Sequence, residues 1–314
     1  ISFASNSAVQ LGAVDAKQHF NLSVKSLTQD ASGVSVGGTS NLSVSAGQDI
    51  ALASSASNSF GGAITLSAAN ADLASSGAIK LGTVATTGTL GVKAVGISQD
   101  SSGVTAGGTA TLNAQGGVIT LQTTGNDFAT LNLANTGNNA ISVTDKNALV
   151  LGSVNAGGAL SVTAVGITQD ASGITAASTS KFVGGSGAVK LDAAANSLAS
   201  AVSASSSSDV TLNNTGALAL GDTSAANLTV SASGNVSQTA DAVISGDTKV
   251  TISGGAKNVV LDSAANDFGG KVSIVGTVND VTLSNARSGT LSAPDTSGVT
   301  GSVNNLSMTF ANAG

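Results

Sequence analysis

Apolar residues in this chain recur at every second position, in short bursts. "LGVKAVGI" (90–97), "ATLNA" (110–114), "GVITLQ" (117–122), "ISVTD" (141–145), "ALVLG" (148–152) and "LSVTAVGI" (160–167) each alternate Val, Leu, Ile or Ala with small or polar residues. That alternation marks strands with one buried face. Gly, Ser, Asn and Asp fill the intervals and supply turns. No convincing i, i+3, i+4, i+7 stripe is present, and β-branched residues, Gly and Ser are poor helix formers, so the pattern predicts an all-β chain.

A longer period runs through these bursts. Gln29, Gln99, Gln169 and Gln238 follow "LT", "IS", "IT" and "VS". The pairs Leu11–Gly12, Leu81–Gly82, Leu151–Gly152 and Leu220–Gly221 keep nearly the same step, as do Phe60, Phe128, Leu198 and Phe268. Each of the last four stands two residues after an Asn: Asn58, Asn126, Asn196 and Asn266. A fixed period decides the architecture. A period of about 70 residues divides into three coils of ~23, the size of a solenoid turn with two or three strands. The expected fold is a right-handed parallel β-helix of roughly thirteen coils, ~65 Å long at the usual strand spacing. Residues 1–314 read as one continuous solenoid, with repeats at approximately 22–89, 90–159, 160–227 and 228–305 and partial repeats at 1–21 and 306–314.

In such a fold Phe60, Phe128 and Phe268 would fill one inner corner in every third coil, ~14 Å apart. The Asn before each would take a positive φ or bond its own backbone. The stretch 288–302, with the single proline Pro294, reads as irregular and lengthens one coil.

Composition agrees. Gly supplies 40 of 314 residues, there is no Trp, Tyr or Cys, and only 9% are charged. The low charge and a mean hydropathy of +0.31 argue against disorder. A net charge of −6 with no basic cluster disfavours nucleic acid. The longest charge-free run, between Asp100 and Asp127, is too polar for a membrane span. No signal peptide is visible and Ile1 opens in mid-pattern, so the chain reads as a piece of a longer protein. The missing Cys rules out a disulfide scaffold and suits export through an oxidising periplasm.

Candidate chemistry is sparse. His19 is the only histidine, which disfavours a His-based triad or metal cluster; it reads as a turn residue. Asp30, Asp100 and Asp170 recur with the Gln, but three coils would separate them and the fourth repeat has Thr239, so they read as turn or outward residues and not as a Ca²⁺ ladder. Asp127 and Asp267, in "NDF", alternate with Ser59 and Ser197 and read as turns. Pectin-degrading β-helix enzymes need clustered carboxylates and aromatics, whereas this chain has one Arg, Arg287. "GGSGAVK" (184–190) lacks the ending of a P-loop. Of the sequons at Asn21, Asn41, Asn213, Asn227, Asn235 and Asn305, four read "NLS" or "NLT" at a strand start and follow from the repeat. Thr87–Thr89 and Thr109–Thr111 do not recur in every coil as an ice-binding face would. The expectation is no enzyme: no catalytic, cofactor-binding or metal residue, no cofactor, no nucleic acid and no membrane insertion.

"LSVTAVGITQ", "NDFGG", "LTVSASGNVSQ" and "ALVLGSVNAGGAL" resemble the shaft repeats of large secreted bacterial surface proteins, the filamentous-haemagglutinin-like adhesins of two-partner secretion and related autotransporter-like proteins. The resemblance covers essentially the whole chain. It implies a right-handed parallel β-helix, export across the outer membrane to the cell surface, and a role in adhesion or matrix. Three functions follow as expectations: a rigid adhesive shaft or spacer, a filament subunit that stacks end to end, and, remotely, a carbohydrate-active enzyme. The expected partners are neighbouring coils of the same long chain or identical subunits, with a cell-surface or glycan receptor possible in principle.

Overall fold

The computed structural model describes residues 1–287 and 293–310. Among them there is no helix; the chain is a parallel β-solenoid of short strands joined by tight turns. It divides into two units, Ile1–Gly158 and Ala159–Gly314.

In unit 1 three families of strand succeed one another around each lap. Phe20–Val24, Ser40–Val44 and Ala63–Ala68 form the first family and stack in parallel, with Leu22 over Leu42 over Leu66. Leu27–Gln29, Ile50–Leu52 and Ala71–Ala74 form the second, Leu27 beside Ile50 beside Ala71. Val14–Ala16, Val34–Val36 and Ser59–Phe60 form the third. Inward positions are Leu, Ile, Val and Ala, and outward ones are Ser, Thr, Asn and Lys; the column Leu22, Leu42 and Leu66 is no more than 5% exposed. Each strand offers only two or three apolar side chains, so burial must come from stacking laps, not from any one of them.

The laps are unequal. Leu22 and Leu42 pair across 20 residues, Leu27 and Ile50 across 23, and Ile79 and Ile97 across 18. Most are shorter than the expected ~23, because the turns need few residues, and the chain makes more laps than thirteen.

Each repeat therefore takes three laps and one further face. On top of Ala63–Ala68 lies Ile79–Thr86, an eight-residue strand that joins a second-family and a third-family segment. Its two halves pair onward with separate strands, Ile97–Gln99 and the start of Val104–Asn113. The next first-family strand, Leu90–Lys93, lands on Ala71–Ala74, a second-family strand. Unit 2 repeats the handover: Val202–Ser206 carries Leu218–Ala225, and Leu228–Ala232 lands on Val210–Asn214.

The Leu–Gly pairs mark this handover. Ile64 pairs with Leu81 but Leu66 pairs with Val84, so one extra residue bulges out at Gly82–Thr83. The same shift occurs at Leu151–Val154 and Leu220–Thr223. A Cβ on Gly82 would lie 2.7 Å from Thr65 Oγ1, and one on Gly221 would collide with Ser203 Oγ.

The rotation corrects one expectation. Phe60 stacks on Val36 and through Val34–Val36 on Val14–Ala16. Phe128 stacks on Ala106, then Thr86, then Ala68, the column of the first family. The two phenylalanines thus occupy different faces of unit 1 and do not line one corner. A second correction concerns 288–302. Residues 288–292 lie outside those described, but Asp295–Val299 is a strand paired with Val272–Asn285, Ser273 opposite Asp295. The lap is long all the same: Val281 pairs with Leu306, 25 residues on.

Candidate functional site

The recurring polar residues meet inside the wall. Gln29 ends a second-family strand, and Asn58 precedes the third-family strand of the following lap. Their carboxamides exchange two hydrogen bonds: Gln29 Nε2 donates to Asn58 Oδ1 at 2.9 Å, and Asn58 Nδ2 to Gln29 Oε1 at 2.8 Å. Asn58 Oδ1 also accepts from the Val34 N–H at 2.9 Å, and its Nδ2 donates to the Leu52 carbonyl at 2.9 Å. All four capacities of the amide are used, which a fully buried Asn requires.

The clasp occurs four times. Gln99 and Asn126 exchange bonds of 2.9 Å each, Gln169 and Asn196 of 2.9 and 2.7 Å, and Gln238 and Asn266 of 2.8 Å each. In each, Asn Oδ1 takes the N–H that opens the third-family strand of the Gln's own lap: Val104, Ile174 and Ala242. The four Asn side chains are fully buried. Of the two expected arrangements the bond to nearby backbone is the one found, to the Leu52, Leu121, Leu191 and Leu261 carbonyls, and none of the four has a positive φ; among the described residues other than glycine only Gln115 does. The left-handed turn is unnecessary because the side chain, bonded across laps, already closes the corner. Beside each Asn, Phe60, Phe128, Leu198 and Phe268 point inward and pack in the core.

A third lap joins through a position that the repeat markers did not reveal. The Asn58 carbonyl accepts from the Ser76 N–H at 2.8 Å and from Ser75 Oγ at 3.2 Å. Ser75 has counterparts in Asp145, Asn214 and Asn285, all buried. Asp145 accepts from the Phe128 N–H at 2.7 Å, Asn214 from Leu198 at 2.8 Å and Asn285 from Phe268 at 3.1 Å. Four positions filled by three residue types give no repeated letter; only their step of about 70 would betray them.

The carboxylates are spent on local structure. Asp30, Asp100 and Asp170 each accept the N–H of the serine two residues on, at 2.7 Å, closing an Asx turn. Asp127 pairs with Lys146 at 2.7 Å and Asp267 with Arg287 at 3.0 Å. The Lys146 hydrogen bond, helped by Asn147, holds the Asp127 carboxyl below its ordinary value. Asp145 is pushed the other way, by burial foremost, with the Asn147 and Phe128 N–H groups opposing. His19 Nδ1 lies 2.8 Å from Thr39 Oγ1 at the surface. Among the described residues no three His, Cys, Asp or Glu side chains are placed to hold a metal ion.

The outer surface offers shallow grooves that expose more apolar than polar surface, with small polar side chains among Leu, Ala and Phe3. One in unit 1 is lined by Asn41, Ser43, Thr65 and Ser67, and another by their equivalents Thr111, Asn113, Asn132 and Ala134.

A parallel solenoid of tandem repeats, each clipped by the same Gln–Asn amide pair, is the class of protein this structure defines. Residues 1–67, 68–135, 137–205 and 207–275 each match the family described as repeats of unknown function (DUF5649), and the chain belongs to that family. No curated protein matches the chain. No solved structure matches it.

Proposed function

We propose that this chain is shaft: a stiff spacer in a secreted bacterial surface protein, which holds another part of that protein away from the cell and performs no catalysis itself. The observation that supports this best is the use to which the repeat puts its polar side chains. Gln and Asn recur in every repeat and Asp in three of the four, and their bonds go to the chain's own backbone and to one another. A repeat that presented a ligand site would keep invariant polar groups on its outside. Here the outward equivalents vary freely, as Asn41 and Thr111 or Ser67 and Ala134 do. The resemblance to adhesin shafts supports secretion and surface display. Antibody labelling of intact, unpermeabilised cells tests the placement: surface signal is expected, and signal confined to lysed cells overturns it. Negative-stain microscopy of the purified chain tests the spacer, which requires thin rods of uniform width.

A second reading has one observation in its favour. Phe3 stands in register with Leu22 in the stack yet is 49% exposed. A second copy laid on that face would bury Phe3 and extend the solenoid end to end, as would further laps of the same chain. Sedimentation over a concentration series separates the two, since end-to-end stacking requires mass to grow with concentration.

A further inference from the structure

The four positions that tie the third lap are not chemically equivalent. Asn214 accepts from the Leu198 N–H and returns its own N–H to the Leu198 carbonyl at 3.2 Å. Asn285 treats Phe268 in the same way, donating to its carbonyl at 3.0 Å. Asp145 accepts from Phe128 at 2.7 Å and from the Asn147 N–H at 2.9 Å. A carboxylate has no proton to return to the Phe128 carbonyl; a carboxylic acid has one. Asp145 as a residue is 3% exposed, so water cannot readily take its place. Two charged groups act on it. Asp127, in the lap beneath, repels its negative charge; Lys146, its neighbour in sequence, attracts it, but the Lys146 ammonium is already engaged by Asp127 at 2.7 Å.

We propose that Asp145 is a proton-binding site that tightens the second clasp on acidification, by adding an O–H···O=C bond to Phe128, the counterpart of the N–H···O=C bonds that Asn214 and Asn285 form permanently to Leu198 and Phe268. The sign follows from linkage. Burial raises the carboxyl above its ordinary 3.8 in the folded chain. Its contribution to stability is therefore full below that value and is lost as pH rises through the folded-state midpoint. Asp127, held low by Lys146, works in the opposite sense: its contribution is present above 3.8 and is lost as pH falls. A raw stability profile mixes the two, whereas a difference between variants isolates Asp145.

The experiment compares the full chain with Asp145→Asn and Asp145→Ser, the residue types that other repeats use. Thermal midpoints are measured from about pH 3 to 8, the range that spans both folded and unfolded carboxyl values. At neutral pH Asp145→Asn should melt about 2–4 °C higher than the parent, and the gain should shrink towards acid and vanish by about pH 3. A gain that stays constant with pH, or a neutral-pH loss, overturns the proposal. Carboxyl ¹³C titration of the unsubstituted chain checks it without any variant: a midpoint for Asp145 above 3.8 is required, and one at or below that value overturns it.

Discussion

An asparagine amide has two donors and two acceptor sites, and in a dry wall each unfilled one costs free energy. Asn58, Asn126, Asn196 and Asn266 fill all of theirs. Replacing Asn126 by Ala would take the Asn126 partner from the Val104 N–H and from the Leu121 carbonyl, while Gln99 keeps its bonds to Ser102 and Thr123, and should cost about 2–6 kcal/mol, at 1–3 for each unsatisfied group. Denaturant unfolding of the variant measures it. The converse case is also present. Ser40, Ser180 and Thr248 place a hydroxyl in the core with no partner, at a position that the second repeat fills with Ala110. Ser40→Ala removes an unsatisfied group and leaves almost no void, so it should stabilise by about 1 kcal/mol. A fall in the unfolding midpoint would show that the hydroxyl has a partner after all. None of this pairing was legible at the residue scale. The Gln and Asn of a clasp stand 29, 27, 27 and 28 residues apart, farther than a single lap, so no local spacing points from one to the other.

At the scale of the element, alternation carries most of the information. Strands such as Leu228–Ala232 follow directly from an apolar residue at every second place, because an inward position in so narrow a wall tolerates little else. The turn and bulge positions are governed instead by how closely one lap lies on the next. Gly61 shows the constraint: a Cβ there would lie 2.5 Å from the Gly37 carbonyl oxygen, a backbone atom that cannot swing aside. Gly77 meets nothing within 4 Å and has an ordinary φ. Gly61→Ala should therefore destabilise the chain, whereas Gly77→Ala should be neutral or stabilising by about 0.4–1 kcal/mol through the unfolded state. Paired urea titrations decide it, and equal effects would show that lap spacing does not set these corners. The Leu–Gly period was visible in the sequence, but its meaning was not. A bulge leaves the letters periodic while it shifts the register by one residue, and that shift turns three laps into three laps and one face.

For the whole molecule, repeat and lap are distinct units, and they fail differently when cut. Stability in a solenoid is a sum of repeat terms and neighbour terms. Deleting residues 20–89 joins His19 to Leu90, the residue 70 places after Phe20, and removes a complete clasp, Gln29 with Asn58. Every remaining Asn keeps its Gln, and each strand still finds a parallel neighbour, because Leu90 replaces the equivalent Phe20. Deleting residues 20–39 removes far less but takes Gln29 and Val34 from Asn58, leaving a buried carboxamide with one of its four bonds, that to Leu52. The smaller deletion should be the more damaging, with a lower urea midpoint and weaker far-ultraviolet β signal per residue than the larger one. If the two deletions instead lose stability in proportion to the residues removed, stacking area alone holds the laps together and the clasps contribute little. The comparison also bears on how such chains lengthen: a duplication is tolerated when it adds whole repeats, since only a whole repeat carries both halves of its own amide pair.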